Sequence, residues 1–309
     1  MADNRPDIPA GVWPVMLTPF TADLQIDWAG LDALTDWYIA MGVAGLFAVC
    51  LSSEMYALDP QERLALAEHV VRRAAGRVPV VASGTFGGPL VEQAAVVRQM
   101  AATGVDAVVV IANQLAGPDD PEAAWQSAAS RLLDMTPGVD LGLYECPVPY
   151  HRLLSPEMLG WAARSGRFLF HKDTCCRIGP IRSKIAAARG TPFRFFNAHT
   201  PTLLASLQSG GHGYSGTAAN MYPELLVWLC QHYASEPETA TRLQHLLSVC
   251  DRAAAHKYPT VAKEYLAALG LPIGPHCRVS QVPLDEPDRT ILGHLIALVS
   301  ETRVGLGLS

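Results

Sequence analysis

The run Phe168-Leu169-Phe170-His171-Lys172-Asp173-Thr174 starts as apolar sequence and ends on a lysine, with a carboxylate and a hydroxyl just beyond it. It reads as a buried strand that carries a charge at its carboxyl end, where a core does not ordinarily accept one. Side chains alternate faces along a strand, so Phe168, Phe170 and Lys172 share one face while His171 and Asp173 share the other. Lys172 is therefore expected among aromatic neighbours, with Asp173 not its direct ion-pair partner. The chain holds only four lysines, at 172, 184, 257 and 263, and Lys172 alone closes an apolar, strand-like run.

That placement has a chemical consequence. A lysine is a nucleophile only when neutral, and a free amine with a pKa of about 10.4 is almost wholly protonated at neutral pH. Lowering the value to about 7 takes roughly 4 kcal/mol of differential destabilisation of the ammonium, which desolvation in an apolar pocket can supply. A buried amine of this kind forms Schiff bases with carbonyl substrates. The bland alternative is a strand-end lysine that snorkels to water.

Outward from this strand the same pattern repeats in both directions. Apolar runs at 11–17, 45–49, 78–82, 106–111, 139–143, 167–172, 193–197 and 211–215 each precede a helical stretch. One helix start is written locally: Asp59 is a ready N-cap, Pro60 fits the first helical position and Glu62 completes a capping box. Eight strand–helix units predict an α/β fold, a (β/α)8 TIM barrel with a parallel sheet covered by helices. An open dinucleotide-binding sheet is disfavoured, because no G-x-G-x-x-G follows an early strand. Residues 1–223 are assigned to the barrel, and 224–309 to its last helix and a C-terminal helical appendage, with helices near 237–247, 258–269 and 285–299.

Half the residues are hydrophobic and the formal charge is −6, so a large core is available and neither nucleic acid nor an anionic membrane is expected as a partner. The polar first ten residues hold no apolar signal core, and no apolar stretch is long enough to span a bilayer, so the expected location is cytoplasmic. Seven dispersed cysteines without a C-x-x-C pair indicate neither a disulfide framework nor a zinc knuckle. Adjacent Cys175 and Cys176 follow the key strand, and packing is the readier explanation for them.

In such a barrel the site lies at the carboxyl ends of the strands. That rule selects Thr18, Phe20, Ser52 to Glu54, Ser83 to Thr85, Asn113, Tyr144, Lys172, His199 and Gly213 to Thr217. Tyr144 is a phenol able to carry a proton to and from a substrate beside the amine. Thr18, Ser52, Ser53, Gly213 and Ser215 are candidate substrate contacts. Glu145, His151, His199 and Ser215 are positioned to meet a hydroxylated substrate, though a satisfied or solvent-facing role is the simpler reading of each. Glu54 reads as a residue that fixes its loop.

Together these marks resemble the dihydrodipicolinate synthase / N-acetylneuraminate lyase family of class I, Schiff-base aldolases. They are Thr18-Pro19-Phe20, Ser52-Ser53-Glu54 with 60–63 beyond, Tyr144-x-x-Pro147, Lys172-Asp173-Thr174, and Gly211-x-Gly213 with Ala219-Asn220. The resemblance implies that Lys172 forms an imine with pyruvate or another 2-oxo acid, with Tyr144 as proton shuttle. It also implies that the N–H groups around Ser52 and Ser53, with the Ser52 hydroxyl, hold the substrate carboxylate. No metal or organic cofactor is implied, and a homo-oligomer, dimer or tetramer, is expected. Three departures argue against dihydrodipicolinate synthase itself. Leu51 stands where the family has a hydroxyl, residues 112–115 lack a tyrosine pair, and no arginine follows Tyr144 to grip an acidic second substrate. Arg152 lies nearby but out of register.

The sequence thus points to an aldolase or dehydratase acting on 2-oxo acids or 2-keto-3-deoxy sugar acids. A relative that binds a 2-oxo acid without turnover is the alternative, motivated by Leu51 and Leu115. A metal-dependent aldolase is a third, and the scattered histidines lack ligand spacing for it.

Overall fold

In the computed structural model, which describes residues 6–280 and 282–308, eight parallel strands curl around a core of aromatic side chains. The first five residues of the polar amino terminus lie outside the described part. The strands are β1 (Gly11–Val12), β2 (Leu46–Phe47), β3 (Val80–Ser83), β4 (Ala107–Ile111), β5 (Leu141–Tyr144), β6 (Phe168–Asp173), β7 (Arg194–Asn197) and β8 (Gly213–Tyr214). From β2 to β8 each strand pairs with the next, and β8 also pairs with β1. The ring shuts between β1 and β2: Ala44 N–H donates to the Val12 carbonyl at 2.8 Å, Phe47 N–H to Pro14 at 3.0 Å and Met16 N–H to Phe47 at 3.0 Å. This is the (β/α)8 barrel expected from the repeating pattern.

The helices between strands are α1 (Trp28–Ala40), α2 (Pro60–Ala74), α3 (Leu90–Ala102), α4 (Glu122–Met135), α5 (Pro156–Arg164), α6 (Ile178–Ala188), α7 (Leu203–Gln208) and α8 (Pro223–His232). Then follow α9 (Pro237–Ala255), α10 (Thr260–Ala268) and α11 (Glu286–Gly305). The cap read ahead of α2 is present: the Asp59 carboxylate accepts from the N–H groups of Gln61 and Glu62, and Glu62 accepts from Asp59 N–H. None of the helices searched is long and apolar enough to cross a membrane.

Inside the barrel, Phe170 stacks on Phe196 at 4.8 Å between centroids and meets Trp13 at 5.3 Å and Phe47 at 5.8 Å, edge-on. These rings come from β6, β7, β2 and the segment after β1, so the face of β6 that carries Phe170 is the interior face. Gly213 serves this closure. It has φ +153°, and a Cβ there would lie 1.8 Å from the Gly11 carbonyl oxygen, so β8 could not approach β1 with a larger residue.

Candidate active site

Lys172 follows Phe170 on the interior face of β6 and is the register partner of Tyr144 on β5. Both are buried, and the Lys172 Nζ lies 4.2 Å from the centre of the Tyr144 ring and 5.8 Å from that of Phe47. They face a cavity of about 720 Å³ at the carboxyl ends of the strands. The other three lysines all meet carboxylates: Lys184 meets Glu145 and Asp173, Lys257 meets Asp285 and Asp288, and Lys263 meets Glu54. Among the described residues Lys172 has no such partner. Burial therefore dominates and lowers its pKa from the ordinary 10.5, against a smaller opposing effect of the Cys50 and Cys146 thiols. Burial first, then the same two thiols, hold the Tyr144 phenol well above its ordinary 10.0, so at rest it is a hydrogen-bond donor.

The segment Cys50 to Glu54 forms one side of the cavity as a single 3₁₀ turn, Leu51–Ser53. Its two serines differ in role. Ser53 is fully buried; its hydroxyl accepts from Cys50 N–H at 3.1 Å and reaches the carbonyls of Met16 at 2.7 Å and Ala48 at 2.5 Å. The Thr18 hydroxyl donates to the Ser53 carbonyl at 2.8 Å from behind. Ser52 faces the cavity, beside Leu51 and Tyr258. Glu54 ends the turn at φ +58° and is buried. Its carboxylate accepts from Lys263 Nζ at 2.9 Å and from the N–H groups of Arg278 at 2.6 Å and Val279 at 2.8 Å, which fixes the loop as the sequence suggested.

The remaining candidates divide. His151 and His199 reach the cavity wall; the His151 ring bonds the Thr174 hydroxyl at 2.8 Å and the His199 ring bonds Thr202 at 3.1 Å. Gly213 lies below the cavity in the β1–β8 closure. Ser215 is fully buried with an unpartnered hydroxyl, and the wall is formed instead by Gly216 and Thr217. For Glu145 the simpler reading, a satisfied side chain, holds and the substrate contact does not. As the residue after Tyr144 it points out of the barrel, where Lys184 Nζ lies 2.6 Å from Oε1. Arg152 is used elsewhere: its guanidinium donates to the carbonyls of Gly117 and Asp120.

Glu145, His171 and Asp173 have side-chain atoms within 4.8 Å of one another, a spacing a metal could use. The Lys184 ammonium, 2.6 Å from both carboxylates, already supplies the positive charge there.

Sequence reasoning missed Lys184, Lys263 and the cavity residues Tyr56, Tyr258 and Val279. The scarcity of lysine was a usable signal, since all four are committed. The buried Cys146 thiol acts electrostatically on both the Tyr144 and the Tyr56 phenol. Tyr56 lines the cavity, donates to the Val148 carbonyl at 3.2 Å and accepts from Gln114 at 3.4 Å.

Comparison with known proteins agrees with this geometry. The chain is 28% identical over 298 residues to the putative 2-dehydro-3-deoxy-D-gluconate aldolase YagE of Escherichia coli K12, covering 93% of this chain and 95% of that protein. It is 26% identical over 279 residues to the 4-hydroxy-tetrahydrodipicolinate synthase of Gluconacetobacter diazotrophicus, covering 89% and 91%. The crystal structure of YagE in complex with pyruvate superposes with a TM-score of 0.85 at 26% identity, covering 94% of this chain and 98% of that one. Residues 8–298 match the profile of the Dihydrodipicolinate synthetase family, and the chain belongs to that family.

Proposed function

We propose that this protein is a lyase that works through an imine between Lys172 and the ketone carbon of pyruvate or another 2-oxo acid. Family membership makes it a class I aldolase or dehydratase; the assignment of residues is our reading. The Lys172 amine adds to the ketone carbon and the carbinolamine loses water. The resulting protonated imine is an electron sink, so the neighbouring carbon can release a proton or a carbon substituent and pass through an enamine. Tyr144 carries the proton. The Ser52 N–H and hydroxyl bind the substrate carboxylate, while Thr18 and Ser53 hold that loop from behind. The observation that carries the reading is a buried amine without a carboxylate, beside a phenol, at the floor of a cavity. A 2-keto-3-deoxy sugar acid fits the same site, with His151, Thr174 and His199 on the wall for its hydroxyls.

The test is borohydride reduction in the presence of pyruvate, followed by mapping of the adduct. A mass increase on the peptide bearing Lys172 is expected, and none with Lys172→Ala. No increase in the unaltered protein removes the reading. A binding role without turnover draws support from Leu51 in the cavity wall; the Tyr144 phenol beside the Lys172 amine favours turnover. Adduct formation with no reaction across aldol and dehydration substrates would decide for binding.

We also expect a homo-oligomer, dimer or tetramer. Ile291 and Leu298, a helical repeat apart on α11, and Val249 on α9 are exposed apolar side chains suited to a subunit contact. The seven unpaired cysteines support a reducing compartment, the cytoplasm.

A further inference from the structure

Lys184 of α6 lies on the opposite side of the β5–β6 pair from the cavity. Its Nζ is 2.6 Å from Glu145 Oε1 and 2.6 Å from Asp173 Oδ2, and all three side chains are buried. Glu145 directly follows Tyr144 in the chain, and Asp173 directly follows Lys172. Strand alternation sends the first of each pair inward and the second outward. Each cavity-facing group therefore has its immediate neighbour fastened to the same ammonium.

The clamp sits where the strand ladder weakens. The last β5–β6 backbone bond, Glu145 N–H to the Lys172 carbonyl, is 3.3 Å long. The clamped carboxylates also order the loops beyond: Leu154 N–H donates to Glu145 Oε1 at 2.8 Å, and Cys175 N–H donates to Asp173 Oδ1 at 3.0 Å. Thr174, on the cavity wall, donates to the Glu145 carbonyl at 2.5 Å.

We propose that Lys184 is a positioning residue, fixing the Tyr144 phenol relative to the Lys172 amine by holding the ends of β5 and β6 together. It acts on the proton transfer that follows imine formation. Imine formation itself depends on the burial of Lys172, whose amine faces the cavity on the other side of the strand from Lys184. Proton transfer depends on aim, and a misplacement of about 1 Å can cost on the order of 100-fold in rate.

This inference rests on the Lys172–Tyr144 reading, and its test separates the two. Glu145→Gln, Asp173→Asn and Lys184→Met together remove the charges at nearly constant size. Two quantities are compared with the unaltered protein: borohydride trapping of pyruvate at Lys172, and exchange of the pyruvate methyl protons with D₂O, followed by NMR. Trapping is expected at full stoichiometry, with exchange slowed by about tenfold or more. A folded variant with both at the original level overturns the proposal. So does a parallel loss of both, which marks a general structural role. If the triple variant does not fold, Lys184→Arg keeps the charge on a longer, planar group; the same two measurements apply to it, and each result counts for or against the proposal in the same way. Absence of trapping in the unaltered protein removes the imine reading itself, and this inference with it.

Discussion

At the level of single residues, two lysines on opposite sides of one strand predict opposite effects on stability. Lys172 is a buried amine without a carboxylate, so Lys172→Met removes an uncompensated polar burial and is expected to stabilise the unliganded protein by about 1–3 kcal/mol while abolishing pyruvate trapping. Lys184→Met alone strands two buried carboxylates and is expected to cost about 3–5 kcal/mol. Urea midpoints of the two variants check both signs. The pH dependence follows from the first. The folded-state pKa of Lys172 lies below its ordinary 10.5, so between those two values the unfolded chain binds more protons than the folded one. Stability from this residue therefore rises with pH across that window and is flat on either side, and Lys172→Met should lose that slope. Alternation made the surroundings of Lys172 legible in the sequence, including its separation from Asp173. It said nothing of Lys184, because helical periodicity assigns a lysine to the outer face unless its partners are known. Those partners come from the ends of β5 and β6, and for the same reason the satisfied reading of Glu145 carries no named partner in the sequence.

Among elements, the turn at Leu51–Ser53 depends on a segment far along the chain. Glu54 meets Lys263 of α10 across 209 positions, and the backbone of Arg278 and Val279 closes on the same carboxylate. Glu54→Gln leaves the Lys263 ammonium buried without a counter-charge, at an expected cost of about 3–5 kcal/mol. Because the turn also carries Ser52, the same change should weaken pyruvate binding and speed hydrogen exchange at residues 278–279. Exchange there as slow as in the unaltered protein would count against the coupling. Local signals were legible: Asp59, Pro60 and Glu62 open α2 as read, since a cap is written in four adjacent residues. The strand ends were less so. β1, β2 and β8 are each two residues long, shorter than their apolar runs, because those runs also supply the irregular, buried chain that closes the ring. Thr18 and Ser53 stand at strand ends like Ser52, but their hydroxyls are turned into the loop.

For the whole molecule, repetition of strand and helix was enough to expect a closed barrel, but not that the residues after it complete the cavity. Tyr258, Pro259 and Val279 line the wall opposite the strands. Arg278 grips Glu62 of α2 through both oxygens, at 2.6 and 2.8 Å, and donates to the Leu24 carbonyl. The Lys263 ammonium and the Arg278 guanidinium cover the Phe20 ring at 4.7 and 4.6 Å. A chain ending after His232 keeps every strand and all eight barrel helices, yet it leaves Glu54 and Phe20 uncovered and the cavity open on one side. Composition could not reveal this, because α9, α10 and α11 read as ordinary amphipathic helices whose docking surface is set only once the ring has closed. The expected outcome is one cooperative unfolding transition for the full chain, with far-UV circular dichroism and loss of pyruvate trapping coinciding along a urea titration. The truncated chain should not trap pyruvate. If it folds and traps at the original level, the C-terminal helices are dispensable, and the neutral amine of Lys172 is sustained by the barrel walls alone.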